Sequence, residues 1–78
     1  MTYEFKVSVY QDIDGWWVAN AAYADFCVFE VTEDKALSKL KDVLTEELKL
    51  VGGDLTKIPK RPLPLTANSL ITVSEQLK

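Results

Sequence analysis

The alternation of apolar and polar side chains predicts four strands. Over residues 2–10 every second side chain is apolar, the pattern of a strand with one buried and one open face. The Asp-Gly turn at Gln11–Gly15 predicts a hairpin that leads into a second strand over residues 16–22. Residues 26–31 (FCVFEV) predict a third strand, and residues 69–75 (SLITVSE) a fourth.

One amphipathic helix is predicted over Thr32–Val51. At about 100° per residue its main apolar side chains fall on one stripe, which consists of Leu37, Leu40, Leu44, Leu48 and Val51. Thr32 is predicted to cap the first turn, and Gly52–Gly53 to end the helix. The loop Asp54–Ala67 contains three prolines, which favour an extended path.

The element order predicts an α+β fold in a single domain over residues 1–78. The order is β-β-β-α-β, with the helix packed on one face of a mainly antiparallel four-stranded sheet in the order 3-2-1-4. Ala19 and Ala21 are expected beneath the helix, where small side chains allow close approach, and Trp17 closes the core. A right-handed crossover through the helix would make the fourth strand parallel to the first.

Charge and composition narrow the classes of partner. Residues 1–55 contain 5 Lys and 11 Asp or Glu, a net charge of −6, whereas residues 56–78 carry +3. An acidic body argues against broad nucleic-acid binding, which needs clustered Lys and Arg, and favours a basic partner. No apolar run reaches the ~18 residues of a membrane span, and the first ten residues predict no secretory signal. With Cys27 as the only cysteine, a cytoplasmic location is expected.

The residues that enzymes use most often are missing or badly placed. The chain has no His, so His-based catalysis and His metal ligands are excluded. Cys27 has no His to activate it, and its apolar strand predicts that it is buried. Gly52–Gly53 ends a helix, which is the wrong end for a phosphate site. No cofactor is expected.

The predicted strand order matches the first half of a ribonuclease H-like fold, which prompts a search for metal-binding carboxylates. The inward face of the first strand carries Tyr3, Phe5, Val7 and Val9. Glu4 points the other way, and Asp12 and Asp14 belong to the turn. Two-metal catalysis needs inward carboxylates, so the sequence predicts no metal site and no enzyme.

Two places in the chain are candidate contact sites for a partner or a second copy. If Trp17 packs under the helix, Trp16 lies on the open face, where with Val18 and Val28 it would anchor a contact. Alternatively, Trp16 folds over the hairpin end and covers the sheet edge. Glu47 falls within the apolar stripe of the helix. It either reaches solvent from the helix end or contacts a subunit or partner.

The sequence resembles the HicB family of antitoxins over most of its length. The matching segments are Asp14–Ala19 (DGWWVA), Cys27–Val28, Thr32–Leu37 (TEDKAL), Ile58–Pro59 and Leu70–Val73 (LITV). The Pro- and Gly-containing corner of the family is replaced by Ala22–Phe26 (AYADF). No helix-turn-helix or ribbon-helix-helix segment follows Leu77, so direct DNA binding is not expected.

The resemblance implies a half-sized ribonuclease H-like fold without catalytic acids. It also implies oligomers and, as a partner, a small basic ribonuclease toxin that the protein neutralises by contact. The alternative is a stand-alone homo-oligomeric scaffold or regulator of the same fold that has no toxin partner.

Overall fold

A computed structural model describes residues 2–21, 26–58 and 66–74. The connection between the second and third predicted strands, at residues 23–25, and the prolines of the long loop lie outside these residues. The elements in chain order are β1 (Thr2–Gln11), β2 (Trp17–Ala21), β3 (Cys27–Glu30), α1 (Glu33–Leu50), a 3-10 helix (Leu55–Lys57) and β4 (Ser69–Ser74). The predicted order of strands and helix is therefore confirmed.

The four strands form one sheet in the order β3-β2-β1-β4, and every neighbouring pair is antiparallel. The predicted α+β class and strand order are confirmed. The parallel placement of the fourth strand was wrong, because Ser74 at the end of β4 pairs with Thr2 at the start of β1. Residues 51–68 separate α1 from β4. Extended, they reach up to about 60 Å, so the chain can enter β4 from either end.

The core lies between α1 and one face of the sheet. Leu40, Leu44 and Leu48 of the helix are fully buried, and so are Ala19 and Ala21 beneath them. Trp17 packs against this core as a partly buried side chain, as predicted. In the described part of the chain, all large side chains that are fully buried are apolar, so the core is held mainly by apolar burial and close packing.

Both ends of α1 are closed as the sequence predicts. The Thr32 hydroxyl accepts a hydrogen bond from the Lys35 amide at 3.2 Å, which satisfies one of the unpaired donors of the first turn. At the other end, the Gly53 amide donates to the Leu48 carbonyl, and the Gly52 amide to the Lys49 carbonyl. Gly52 has a φ of +63°, which favours glycine. Within the described residues no helix is long and apolar enough to cross a membrane.

The segment after α1 is less extended than the prolines suggested. Leu55–Lys57 form one turn of 3-10 helix, because Asp54 caps it through the Thr56 hydroxyl at 2.6 Å and the Thr56 amide at 3.1 Å. These two hydrogen bonds, the hydroxyl one first, hold the pKa of Asp54 below its usual value of 3.8. Ile58 follows and is buried in the core, so this segment also packs beneath the helix layer.

The side chain of Asn68 extends the β1–β4 pairing beyond the first residue of β4. Its Oδ1 accepts from the Val9 amide at 2.9 Å, and its Nδ2 donates to the Val9 carbonyl at 2.7 Å. One side-chain amide therefore satisfies both backbone groups of Val9, as a strand residue would.

Replacing Asn68 with Ala should lower the free energy of unfolding by about 1–3 kcal/mol, since two partly buried hydrogen bonds are lost. Urea denaturation followed by circular dichroism would measure the change. Asn20→Ala is the matched control, because the Asn20 side chain makes no hydrogen bond to any described residue. Equal stability of the two variants would show that the Asn68 pairing contributes nothing.

Candidate interaction face

The face of the sheet opposite α1 is polar at one end and apolar at the other. At the polar end, Thr2 and Ser74 pair across β1 and β4, followed by Glu4 and Thr72. At the apolar end, Val18 of β2 lies between its cross-strand partners Tyr10 and Phe29. Val18 is only 2% exposed although it lies outside the core beneath the helix. We infer that its neighbours on the open face cover it.

Five exposed apolar side chains lie at this end of the sheet, on or next to β1 and β3 and in the turn after β1. Seven large apolar side chains are exposed among the described residues, and only Leu50 and Leu70 lie elsewhere. The other five surround or adjoin the Val18 row and are named here the apolar patch: Tyr10, Ile13, Trp16, Phe29 and Val31. Several exposed apolar side chains in one region of a surface mark protein–protein contact sites more often than single scattered ones do.

The hairpin turn fixes the position of Trp16. The Asp12 amide donates to the Trp16 carbonyl at 2.8 Å, and the Asp12 carboxylate accepts from the Asp14 and Trp16 amides at 2.9 Å each. Gly15 closes the turn with a φ of +92°, a conformation that disfavours other residues. The Asp12 carboxylate therefore shapes the turn and holds the backbone of Trp16.

The apolar patch lies in an acidic stretch of sequence. Residues 7–34 contain no Lys or Arg and six acidic residues, namely Asp12, Asp14, Asp25, Glu30, Glu33 and Asp34. All five patch residues belong to this stretch. The Glu30 carboxylate forms a salt bridge with the Lys39 ammonium of α1, with 3.3 Å between oxygen and nitrogen. Asp14 is exposed in the turn beside Trp16.

The structure places some of the predicted contact residues differently from the sequence-based expectation. Trp16 is 46% exposed, which does not distinguish an open contact residue from a side chain that covers the sheet edge, and its contact role stays a prediction. Val18 lies on the open face of the sheet, as predicted, but its side chain is buried. The placement of Val28 beside them was wrong, because Val28 pairs with Ala19 and faces the core. The same parity puts Cys27 on the open face, where it is exposed, so its predicted burial was also wrong.

Glu47 is half-buried on α1, away from the apolar patch. It lines a shallow groove with Phe26, Lys39, Asp42, Val43 and Glu46. The groove combines an apolar floor with charges of both signs. Nothing in this geometry links Glu47 to the open face, and its contact role stays a prediction.

Comparison with protein-family models, with curated proteins and with solved structures finds no match. Among residues 2–21, 26–58 and 66–74, no three or more Cys, Asp or Glu side chains stand together in a way that would hold a metal ion.

Sequence reasoning missed four members of the apolar patch, namely Tyr10, Ile13, Phe29 and Val31. One signal was available for Tyr10, since it occupies a polar-face position in the alternation of the first strand. A second signal was the long segment between Lys6 and Lys35, which contains no Lys or Arg. Together these two features mark the hairpin end as apolar and acidic.

Proposed function

We propose that this protein is a non-enzymatic, HicB-like interaction module of the cytoplasm that neutralises a small basic ribonuclease toxin by direct contact. The observation that carries the proposal is the apolar patch, set in a sequence stretch that has six carboxylates and no Lys or Arg. The resemblance to the HicB family indicates the kind of partner, which is a small basic ribonuclease toxin.

Two physical effects would act together in such a complex. Trp16 and Phe29 are large apolar anchors, and burying aromatic side chains at the centre of an interface supplies much of the binding energy. A ribonuclease binds RNA phosphates through Lys and Arg, so its substrate surface is positively charged. Carboxylates beside the apolar patch would attract that surface and occupy it in place of RNA.

The proposal is tested with the protein encoded next to this chain in its genome. Expressed alone, that neighbour should stop growth and cleave messenger RNA, and co-expression of this chain should restore growth. The purified pair should form a complex whose association slows as salt is raised, because its charges are screened. Leu50→Ala is a suitable control variant, since Leu50 is exposed but lies outside the apolar patch.

A neighbour that is harmless alone, or has no affinity for this chain, would overturn the proposal in favour of a stand-alone homo-oligomer. RNA incubated with the purified chain and Mn²⁺ should stay intact. Cleavage that disappears in an Asp14→Asn variant would instead indicate an enzyme.

A further inference from the structure

The outer edge of β4 has the properties of a pairing surface. β4 is the last strand of the sheet, and no described residue pairs with its outer side. Its six residues, Ser69–Ser74 (SLITVS), include no charge and no proline, which are two of the devices that prevent edge pairing. The opposite edge strand β3 has only four residues and ends at Glu30, which is bonded to Lys39.

We propose that β4 pairs antiparallel with β4 of a second copy of this chain. The two sheets would join into one continuous sheet of eight strands, with a two-fold axis perpendicular to it. The main-chain donors and acceptors on the outer edge of each β4 would then satisfy each other.

The sequence of β4 selects one register for this pairing. Residues directly opposite each other in antiparallel strands share a face, so the axis must pass through a residue and not between two. An axis at Thr72 sets Ile71 opposite Val73 of the second copy, and both of these side chains are buried on the helix side. An axis at Ile71 would set Ser69 opposite Val73 instead. The Thr72 axis therefore matches apolar with apolar residues and joins the two cores.

The dimer leaves the proposed toxin contact free. With the two-fold axis perpendicular to the sheet, both α1 helices lie on one side and both open faces on the other. The apolar patch belongs to β1, to the turn between β1 and β2, and to β3 with the residue that follows it, whereas the pairing uses the far edge of the sheet. The dimer is therefore independent of the proposed function, and either proposal can fail alone.

Cysteine cross-linking tests the register in a Cys27→Ser background. At the Thr72 axis the two Thr72 Cα atoms would stand roughly 5 Å apart, within the range that a disulfide bridges. Thr72→Cys should therefore give a covalent dimer on mild oxidation. Leu70→Cys is the matched control on the same face, since the two Leu70 positions would lie roughly 14 Å apart. Equal cross-linking at both positions would overturn the register.

Introducing a charge at the proposed dimer axis tests whether the two copies associate there. By light scattering, the wild type should have twice the 8.8 kDa mass of one chain. Thr72→Lys should weaken the dimer roughly tenfold or more, because two like charges would meet at the axis. In the monomer this lysine would face Glu4 across β1, which preserves the fold. Thr72→Val should remain dimeric.

A wild type of 8.8 kDa without a Thr72→Cys cross-link would overturn the proposal. The β4 edge would then be open to a strand of another protein or to none. A dimer that persists in Thr72→Lys would place the contact elsewhere on the molecule.

Discussion

Replacing Leu44 with Ala is expected to lower the free energy of unfolding by about 2–5 kcal/mol, the usual range for a buried leucine. Leu44 is fully buried in the middle of α1, where it packs in the core between the helix and the sheet. The substitution removes apolar contacts and leaves a cavity that the surrounding strands fill only in part. A folded unit with so small a core has little stability in reserve, so a large fraction of the variant should be unfolded at 37 °C.

Urea denaturation of the wild type and the variant would measure the loss. Leu50→Ala is the matched control, because it makes the same chemical change on the same helix at a side chain that is 79% exposed. Its cost should stay within about 0.5 kcal/mol. If the two variants were equally stable, α1 would not cover the core as described.

Replacing Trp16 with Ala is expected to weaken binding of the basic partner by about thirtyfold, or about 2 kcal/mol, as for a central aromatic anchor. The fold should survive, because Trp16 is half-exposed and its backbone bonds to Asp12 remain. Isothermal titration calorimetry with the purified partner would give the change in affinity. Phe29→Ala removes the aromatic side chain that β3 contributes to the apolar patch, so it should weaken binding to a similar extent.

Light scattering of the Trp16→Ala variant separates partner binding from self-association. The particle mass should not change, since the proposed dimer uses β4. A fall to the mass of one chain would make Trp16 a self-association residue and would favour the homo-oligomeric scaffold. Unchanged affinity in both Trp16→Ala and Phe29→Ala would remove the apolar patch from the binding surface.

The long elements of this fold could be predicted from the sequence because their periodicity is unambiguous. β1 alternates from Thr2 to Val9, and α1 places four of its five leucines on one stripe between a threonine cap and two glycines. A strand with one exposed face shows apolar residues at every second position, and a helix with one buried side shows them at every third or fourth position. The order of the strands followed from the hairpin and from the position of the helix.

The third strand could not be assigned a face from the sequence. Its segment FCVFEV is apolar at both parities, so alternation does not distinguish its buried side from its open side. The pairing of Ala19 with Val28 decides the matter and turns Cys27 and Phe29 outward. A shift of one residue would have exchanged the two sets, which is why Val28 was misplaced.

The direction of the fourth strand depended on a segment with no periodic signal. Crossover rules apply when a short connection returns directly from a helix to the sheet, but residues 51–68 form a long connection here. Within it Ile58 reaches the core, and Asn68 bonds Val9 before β4 begins. A single buried isoleucine and a side-chain amide are tertiary features that neither composition nor period reveals.

The Asn68 amide also makes the protein sensitive to chemical ageing. Asn68 is followed by Ser69, and slow hydrolysis of the side chain would convert its amide into a carboxylate. An oxygen would then replace the nitrogen that donates to the Val9 carbonyl, so two acceptors would oppose each other across that contact. Stored preparations of this protein would weaken at the start of β4 before any peptide bond is cut.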